Sequence, residues 1–208
     1  MKMTGETKFF LGVIAVTVLL IAGAAFFLTR PTPPAVAIPR DELIPAGTNT
    51  TGNATAGAYL VEFSDFQCPA CKAAKPVVDD VIKTYGDKLL FAYRHFPLSQ
   101  HPYGEKAAIA AEAAGRQGKF WEMGDLLFSD QENLSDALIE EYVKELKLDK
   151  GQFDKDIEGR ALKDKVQKDS DYGITIGVNS TPTFYLNGIK LNLPSFADLK
   201  QKVADAVK

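Results

Sequence analysis

The 208-residue chain has two cysteines, and they stand together as Cys68-Pro69-Ala70-Cys71. Just before them Val61-Glu62-Phe63 alternates like a strand, and just after them Lys72-Ala73-Ala74-Lys75-Pro76 reads as the start of a helix. A Cys-x-x-Cys pair at such a junction suits two kinds of chemistry, dithiol–disulfide exchange and soft-metal binding. At a helix N-terminus the unpaired backbone N–H groups and the macrodipole favour a thiolate on the first sulfur. The second sulfur follows one turn later, within reach of a disulfide. A structural zinc site wants four ligands. The two histidines, His95 and His101, are remote in sequence from the cysteines and offer no second ligand pair of usual spacing.

Composition narrows the classes further. With 46% hydrophobic residues, 25% charged residues and a formal charge of −3, the chain has room for one ordinary globular domain. It carries no basic block or stripe, which argues against nucleic acid as a partner. Two cysteines cannot make a disulfide scaffold, so the pair is there for chemistry or metal.

After a short tail over 1–8, Phe9 to Leu28 runs without a charge between Lys8 and Arg30. At about 1.5 Å per residue such a run spans about 30 Å, the hydrocarbon core of a bilayer. The apolar region of a cleaved signal peptide is only about 7–15 residues long. A retained signal-anchor over 9–28 is therefore expected, with the following domain exported. Cleavage near Ala22-Gly23-Ala24 or Ala35-Val36-Ala37, giving a secreted or periplasmic protein, is the alternative. Residues 29–57, with Pro31-Thr32-Pro33-Pro34 and a Thr/Asn/Gly stretch, bury too little apolar surface to order themselves and read as a disordered spacer.

The elements that must position the cysteines follow in order. Tyr59–Phe63 reads as a buried strand. The helix after Cys68 shows Ala73, Val77, Val81 and Ile82 on one face and carries Pro76 inside it. Leu89–Phe96 reads as a second strand, parallel to the first by the right-handed crossover rule. From about 102 to 172 the pattern is helical, in three or four helices, with Ser135 as one cap. Thr183–Leu186, Asn187-Gly188 and Ile189–Leu193 form a hairpin with a type I′ turn, and Phe196, Leu199, Val203 and Val207 mark a closing helix. The sum is an α/β domain over 58–208, a mixed sheet with a helical insertion.

That order resembles the thioredoxin fold. Pro76 lies eight residues past Cys68, Glu62 lies six before it, and Ser180-Thr181-Pro182-Thr183-Phe184 precedes the hairpin. These match the helix proline, the buried acid and the cis-proline segment of that superfamily. The insertion, with Arg94-His95-Phe96-Pro97-Leu98 and Gly118-Lys119-Phe120-Trp121, resembles the DsbA-like thiol-disulfide oxidoreductases, membrane-anchored or secreted. One departure stands out: the strongly oxidising DsbA members carry Pro-His where this chain has Pro69-Ala70.

The resemblance implies a role for each residue. Cys68 is the exposed nucleophile and Cys71 the more buried resolving thiol. Glu62 exchanges a proton with Cys71, with Asp65 as a second acid better suited to capping. Thr181 and cis-Pro182 pair with an extended client strand, and Phe66 and Pro69 flank the nucleophile as further client contacts. His95, His101 and Trp121 are read as structural. No cofactor is implied, since the cysteines do the chemistry. The expected function is an extracytoplasmic oxidoreductase donating the Cys68–Cys71 disulfide to reduced or misoxidised exported proteins. Its expected redox partner is a membrane one, a quinone-linked oxidase or a transmembrane reductant. A reductase or isomerase of the same fold and a copper- or zinc-delivery module are the alternatives.

Overall fold

The computed structural model describes residues 5–28 and 36–208, in two compact units that divide after Ala35. The first unit holds α1 (Gly5–Leu28). Its segment Phe9–Phe27 is long and apolar enough to cross a membrane. Thr17, the polar side chain in it, donates its hydroxyl to Val13 O at 2.9 Å and so leaves no unpaired donor facing outward.

The second unit runs α2 (Arg40–Leu43), β1 (Asn49–Gly52), β2 (Ala58–Ser64), α3 (Pro69–Tyr85) and β3 (Leu89–His95). Then come α4 (Gly104–Gly115), α5 (Phe120–Ser129), a 3-10 turn (Gln131–Asn133), α6 (Asp136–Glu145), α7 (Lys150–Glu158) and α8 (Arg160–Thr175). It closes with β4 (Thr183–Leu186), β5 (Ile189–Lys190) and α9 (Ala197–Ala206). The sheet order is β1-β3-β2-β4-β5. β2 and β3 are parallel, and the other pairs are antiparallel. Every residue of β2 and β3 is buried, as expected of strands covered on both faces. One face of the sheet holds Ala58, Leu60, Phe91, Tyr93, Phe184 and Leu186 under α3, α9 and the helical insertion. The other holds Tyr59, Val61, Phe63, Leu90, Ala92 and Tyr185.

Three expectations are corrected. The spacer expected over 29–57 falls partly outside the described residues, at 29–35, but 36–57 belong to the domain. Leu43 is fully buried beside Val61 and Phe63. β1 pairs with β3, Asn49 opposite Tyr93, and Arg94 donates to Leu43 O at 2.8 Å. A polar Thr/Asn run is compatible with an edge strand, which needs backbone partners more than apolar side chains. Gly52 makes the approach possible: at φ +90 its position admits no Cβ, which would stand 2.3 Å from Leu89 O.

The helix face of α3 is Cys71, Ala74, Val78 and Val81; Val77 and Ile82 are only half-buried and Ala73 is exposed. The helix register follows the buried cysteine. The insertion has five α-helices among the described residues, because Asp149, whose carboxylate accepts from Gln152 N, starts α7, and extended Gly159 separates it from α8. Ser135 caps α6 as expected, accepting from Leu138 N at 3.2 Å. Asn187 and Gly188 both have positive φ, as a type I′ turn demands.

Candidate active site

The turn between β2 and α3 carries Cys68 as the N-cap of α3, in extended conformation. Pro69 at the first helical position has no N–H to leave unpaired there. Cys68 N donates to Asp65 O at 3.0 Å, and Lys72 N donates to Cys68 O at 3.1 Å. Both cysteines are free thiols, so the structure shows the reduced dithiol.

The two thiols are set far apart. A hydrogen bond from the Cys71 side chain pulls the Cys68 thiol down to about 5; burial opposes this, while Thr181 and the backbone N–H groups of Cys71 and Ala70 assist it. Burial pushes the Cys71 thiol well up, and the hydrogen bond to Cys68 and the charge of Glu62 push it further. Near neutral pH the site therefore holds a Cys68 thiolate backed by a Cys71 thiol. The expected exposure of Cys68 is corrected: only 5% of its surface remains accessible. The cover includes the segment before β4, where protonated Sγ of Cys68 donates to Thr181 O at 3.4 Å. The Thr181–Pro182 bond is cis, and Thr183 Oγ1 donates to Ser180 O at 2.7 Å, tightening that turn.

Glu62 lies in central β2, 5% exposed, with Tyr93 of β3 and Phe184 of β4 as its register partners. Burial pushes its carboxyl up to about 7; Ser64 and the Lys75 charge pull part of the way back, and the Asp79 and Cys68 charges add to the rise. Glu62 and Cys71 both line a cavity of about 270 Å³, walled by Phe91, Phe120, Trp121 and Phe128. At its mouth Lys75 reaches Asp79 and Asp125, each at 2.7 Å, joining α3 to α5.

Two client-contact expectations part company. Pro69 is exposed beside Cys68. Phe66 is not available: it is 2% exposed, stacked on Tyr93 at 5.0 Å and packed on Phe128. An aromatic ring on a turn gains more from the apolar layer beneath it than from solvent, and Gly124 makes room, since a Cβ there would stand 3.1 Å from Phe66 Cε1.

Sequence reading missed the clamps on this turn. The Asp65 carboxylate is no helix cap; it accepts from Gln67 N and Leu98 N and lies 2.7 Å from His101 Nδ1. Gln67 accepts from Tyr103 N at 2.6 Å, and Gln131 donates to Phe66 O at 2.9 Å. The insertion thus holds the active-site turn through amide side chains with no motif to announce them. His95 and His101 are both spent on neighbouring carboxylates, Glu112 and Asp65, and Trp121 packs edge-on against Phe120. Among the described residues no three His, Cys, Asp or Glu side chains cluster to hold a metal ion.

A low-pKa thiol, a second, buried thiol and a cis-proline segment meet on a sheet of thioredoxin fold, an arrangement suited to dithiol–disulfide exchange. A family model described as Thioredoxin matches residues 46–205, and the chain belongs to that family. The match begins ahead of β1, in keeping with the early start of the domain. The fold is shared with α-DsbA2, a thiol-disulfide exchange protein from Wolbachia pipientis, at TM-score 0.71 and 22% identity over 80% of this chain and 90% of that one. BdbD from Bacillus subtilis aligns at TM-score 0.65 and 23% identity, covering 77% of this chain and 91% of its own. Among curated proteins, the Na(+)/H(+) antiporter NhaA 1 of Mycolicibacterium vanbaalenii is 37% identical over 189 residues, 86% of this chain. The chain spans 30% of the length of that relative.

Proposed function

We propose that the protein works outside the cytoplasm, donating the Cys68–Cys71 disulfide to reduced exported proteins. The observation that carries this reading is Cys68 capping α3 against Thr181 with Cys71 buried behind it, a setting that pulls the Cys68 thiol down to about 5 and pushes the Cys71 thiol up. A stabilised thiolate stabilises the reduced form, and that makes the disulfide the stronger oxidant. In each cycle a client thiolate attacks Cys68 Sγ, the S–S bond breaks, and Cys71 leaves with the electron pair and takes a proton from Glu62. A second client thiol then attacks the client sulfur of the mixed disulfide, forming the client disulfide and releasing the Cys68 thiolate. The backbone of Thr181 and the exposed Pro69 border the attacked sulfur and receive the client chain.

With one dithiol, the protein needs an outside acceptor for the two electrons, and a quinone-linked membrane oxidase fits that need. Segment Phe9–Phe27 acts as the membrane anchor, consistent with its length and apolar character.

The test is the reduction potential of the Cys68–Cys71 pair in glutathione buffers. The expected value lies between about −120 mV, typical of a strong donor, and about −270 mV, typical of thioredoxin. A value at or below about −270 mV would overturn donation and assign the reverse, reducing direction.

A further inference from the structure

One residue of the turn touches both halves of the dithiol without belonging to it. The Asp65 carbonyl accepts from Cys68 N at 3.0 Å, and the Asp65 N–H is directed at Cys71 Sγ, where it favours the thiolate. How that backbone lies is fixed by the carboxylate, which has no accessible surface. Its Oδ1 accepts from Gln67 N at 2.8 Å, the bond of an Asx-turn. Its Oδ2 accepts from Leu98 N at 2.8 Å and lies 2.7 Å from His101 Nδ1.

Leu98 and His101 belong to the loop between β3 and α4, which is braced in turn by His101 N donating to Leu98 O and Gly104 N donating to His101 O. Gly104 opens α4 directly against the carboxylate: a Cβ there would stand 3.0 and 3.2 Å from its oxygens and 3.3 Å from Pro97 Cβ. Gln67 adds a second tie, accepting from Tyr103 N at 2.6 Å. β2 ends at Ser64 and β3 at His95, so this clamp lies beyond the ladder that builds the sheet. A buried carboxylate is costly unless its lone pairs are used, and here they are used on the turn that carries Cys68.

We propose that Asp65 is a positioning residue for dithiol exchange: clamped by Leu98, His101 and the close approach of Gly104, it holds the two sulfurs in the arrangement that stabilises the reduced pair. The inference rests on exchange at Cys68–Cys71 and holds for either direction of electron flow. Asp65 has two effects of opposite sign. A negative charge near the dithiol disfavours a thiolate. A turn that aims Cys71 and the first N–H groups of α3 at Cys68 favours one. Losing the charge alone would make the disulfide more oxidising, and loosening the turn makes it less so.

The experiment equilibrates the full chain with glutathione, where the protein disulfide and two reduced glutathiones exchange with the dithiol and oxidised glutathione. Asn at 65 keeps the size but sets an NH2 against Gln67 N or Leu98 N, donor against donor. Asp65→Asn and His101→Ala should each shift the equilibrium toward the protein disulfide about tenfold, or about 30 mV. Both should move the pH midpoint of Cys68 alkylation upward. His101→Asn, which returns a donor near the place of Nδ1, should recover the wild-type values. Gly104→Ala crowds the carboxylate while improving α4 as a helix; it should shift the equilibrium in the same direction with the urea midpoint held, and it serves if Asp65→Asn does not fold. A shift of Asp65→Asn toward the dithiol would overturn the proposal in favour of charge alone. Folded Asp65→Asn or Gly104→Ala with the wild-type equilibrium and alkylation midpoint would overturn it in favour of a purely structural clamp. Because variants are compared with wild type, a wild-type potential that refutes disulfide donation leaves this result readable.

Discussion

The Cys68 sulfur lies 3.4 Å from the carbonyl oxygen of Thr181, a residue 113 positions further along the chain. This contact joins the first cysteine of the pair to the cis-proline segment before β4, the two parts to which the proposed function assigns attack and client binding. The order of attack is open to a direct check. Cys68→Ser should abolish exchange with a reduced client. Cys71→Ser should retain attack but lose resolution, so that client-linked species accumulate on a non-reducing gel. Their absence would reverse the roles of the two sulfurs.

The Cys68 thiol should titrate near 5, monitored by thiolate absorbance or by alkylation rate against pH. Its first cause is the hydrogen bond from Cys71, so Cys71→Ala should move the midpoint upward. An unmoved midpoint would transfer the effect to the helix N-terminus and the neighbouring Thr181.

Glu62 links stability to pH. Its carboxyl is raised from 4.5 to about 7, so the stability it contributes is fully present below 4.5 and lost as pH rises through about 7. Reduced wild type and Glu62→Gln should therefore match near pH 4 and diverge above 7, the variant becoming more stable by up to about 3 kcal/mol. Urea unfolding at the two pH values reads the difference. Equal stabilities at pH 8 would show a carboxylate that is solvated after all.

Arg94 should hold the N-terminal segment onto the sheet. Its Nε lies 2.7 Å from Asp169 Oδ1, and its guanidinium donates to Leu43 O and Glu42 O. Arg94→Ala leaves a buried carboxylate unpaired and should cost about 3–5 kcal/mol. Limited proteolysis should then open the chain between residues 40 and 57. A variant that loses stability yet stays resistant there would separate the ion pair from the docking of that segment.

Phe66→Ala should cost about 3–5 kcal/mol, the usual range for emptying an aromatic site in a core. The ring would vacate the layer formed with Tyr93, Phe120 and Phe128. A client-contact role would instead weaken exchange with little change in the urea midpoint.

The sequence by itself determined the dithiol, the strand–helix junction that carries it, the type I′ hairpin and the apolar N-terminal helix. Each is written in residues a few positions apart: Cys68 with Cys71, Asn187 with Gly188, an uncharged run from Phe9. Local stereochemistry and periodicity were enough to read them. The resemblance added Glu62 and the Thr181–Pro182 segment, and the fold brings Thr181 against Cys68. Only the tertiary structure decided what depended on packing between distant residues. It turned Phe66 inward, drew the polar 36–57 stretch into the sheet, spent Asp65 on two loops, and put Ser64 and Tyr93 beside Glu62. A side chain's burial is set by what the rest of the chain lays over it, and amide or hydroxyl partners obey no sequence spacing. The Cys-x-x-Cys pair alone suits redox or metal chemistry; the acidity of its first thiol is made within α3, by Cys71 and the first backbone N–H groups, and by Thr181 in the turn before β4.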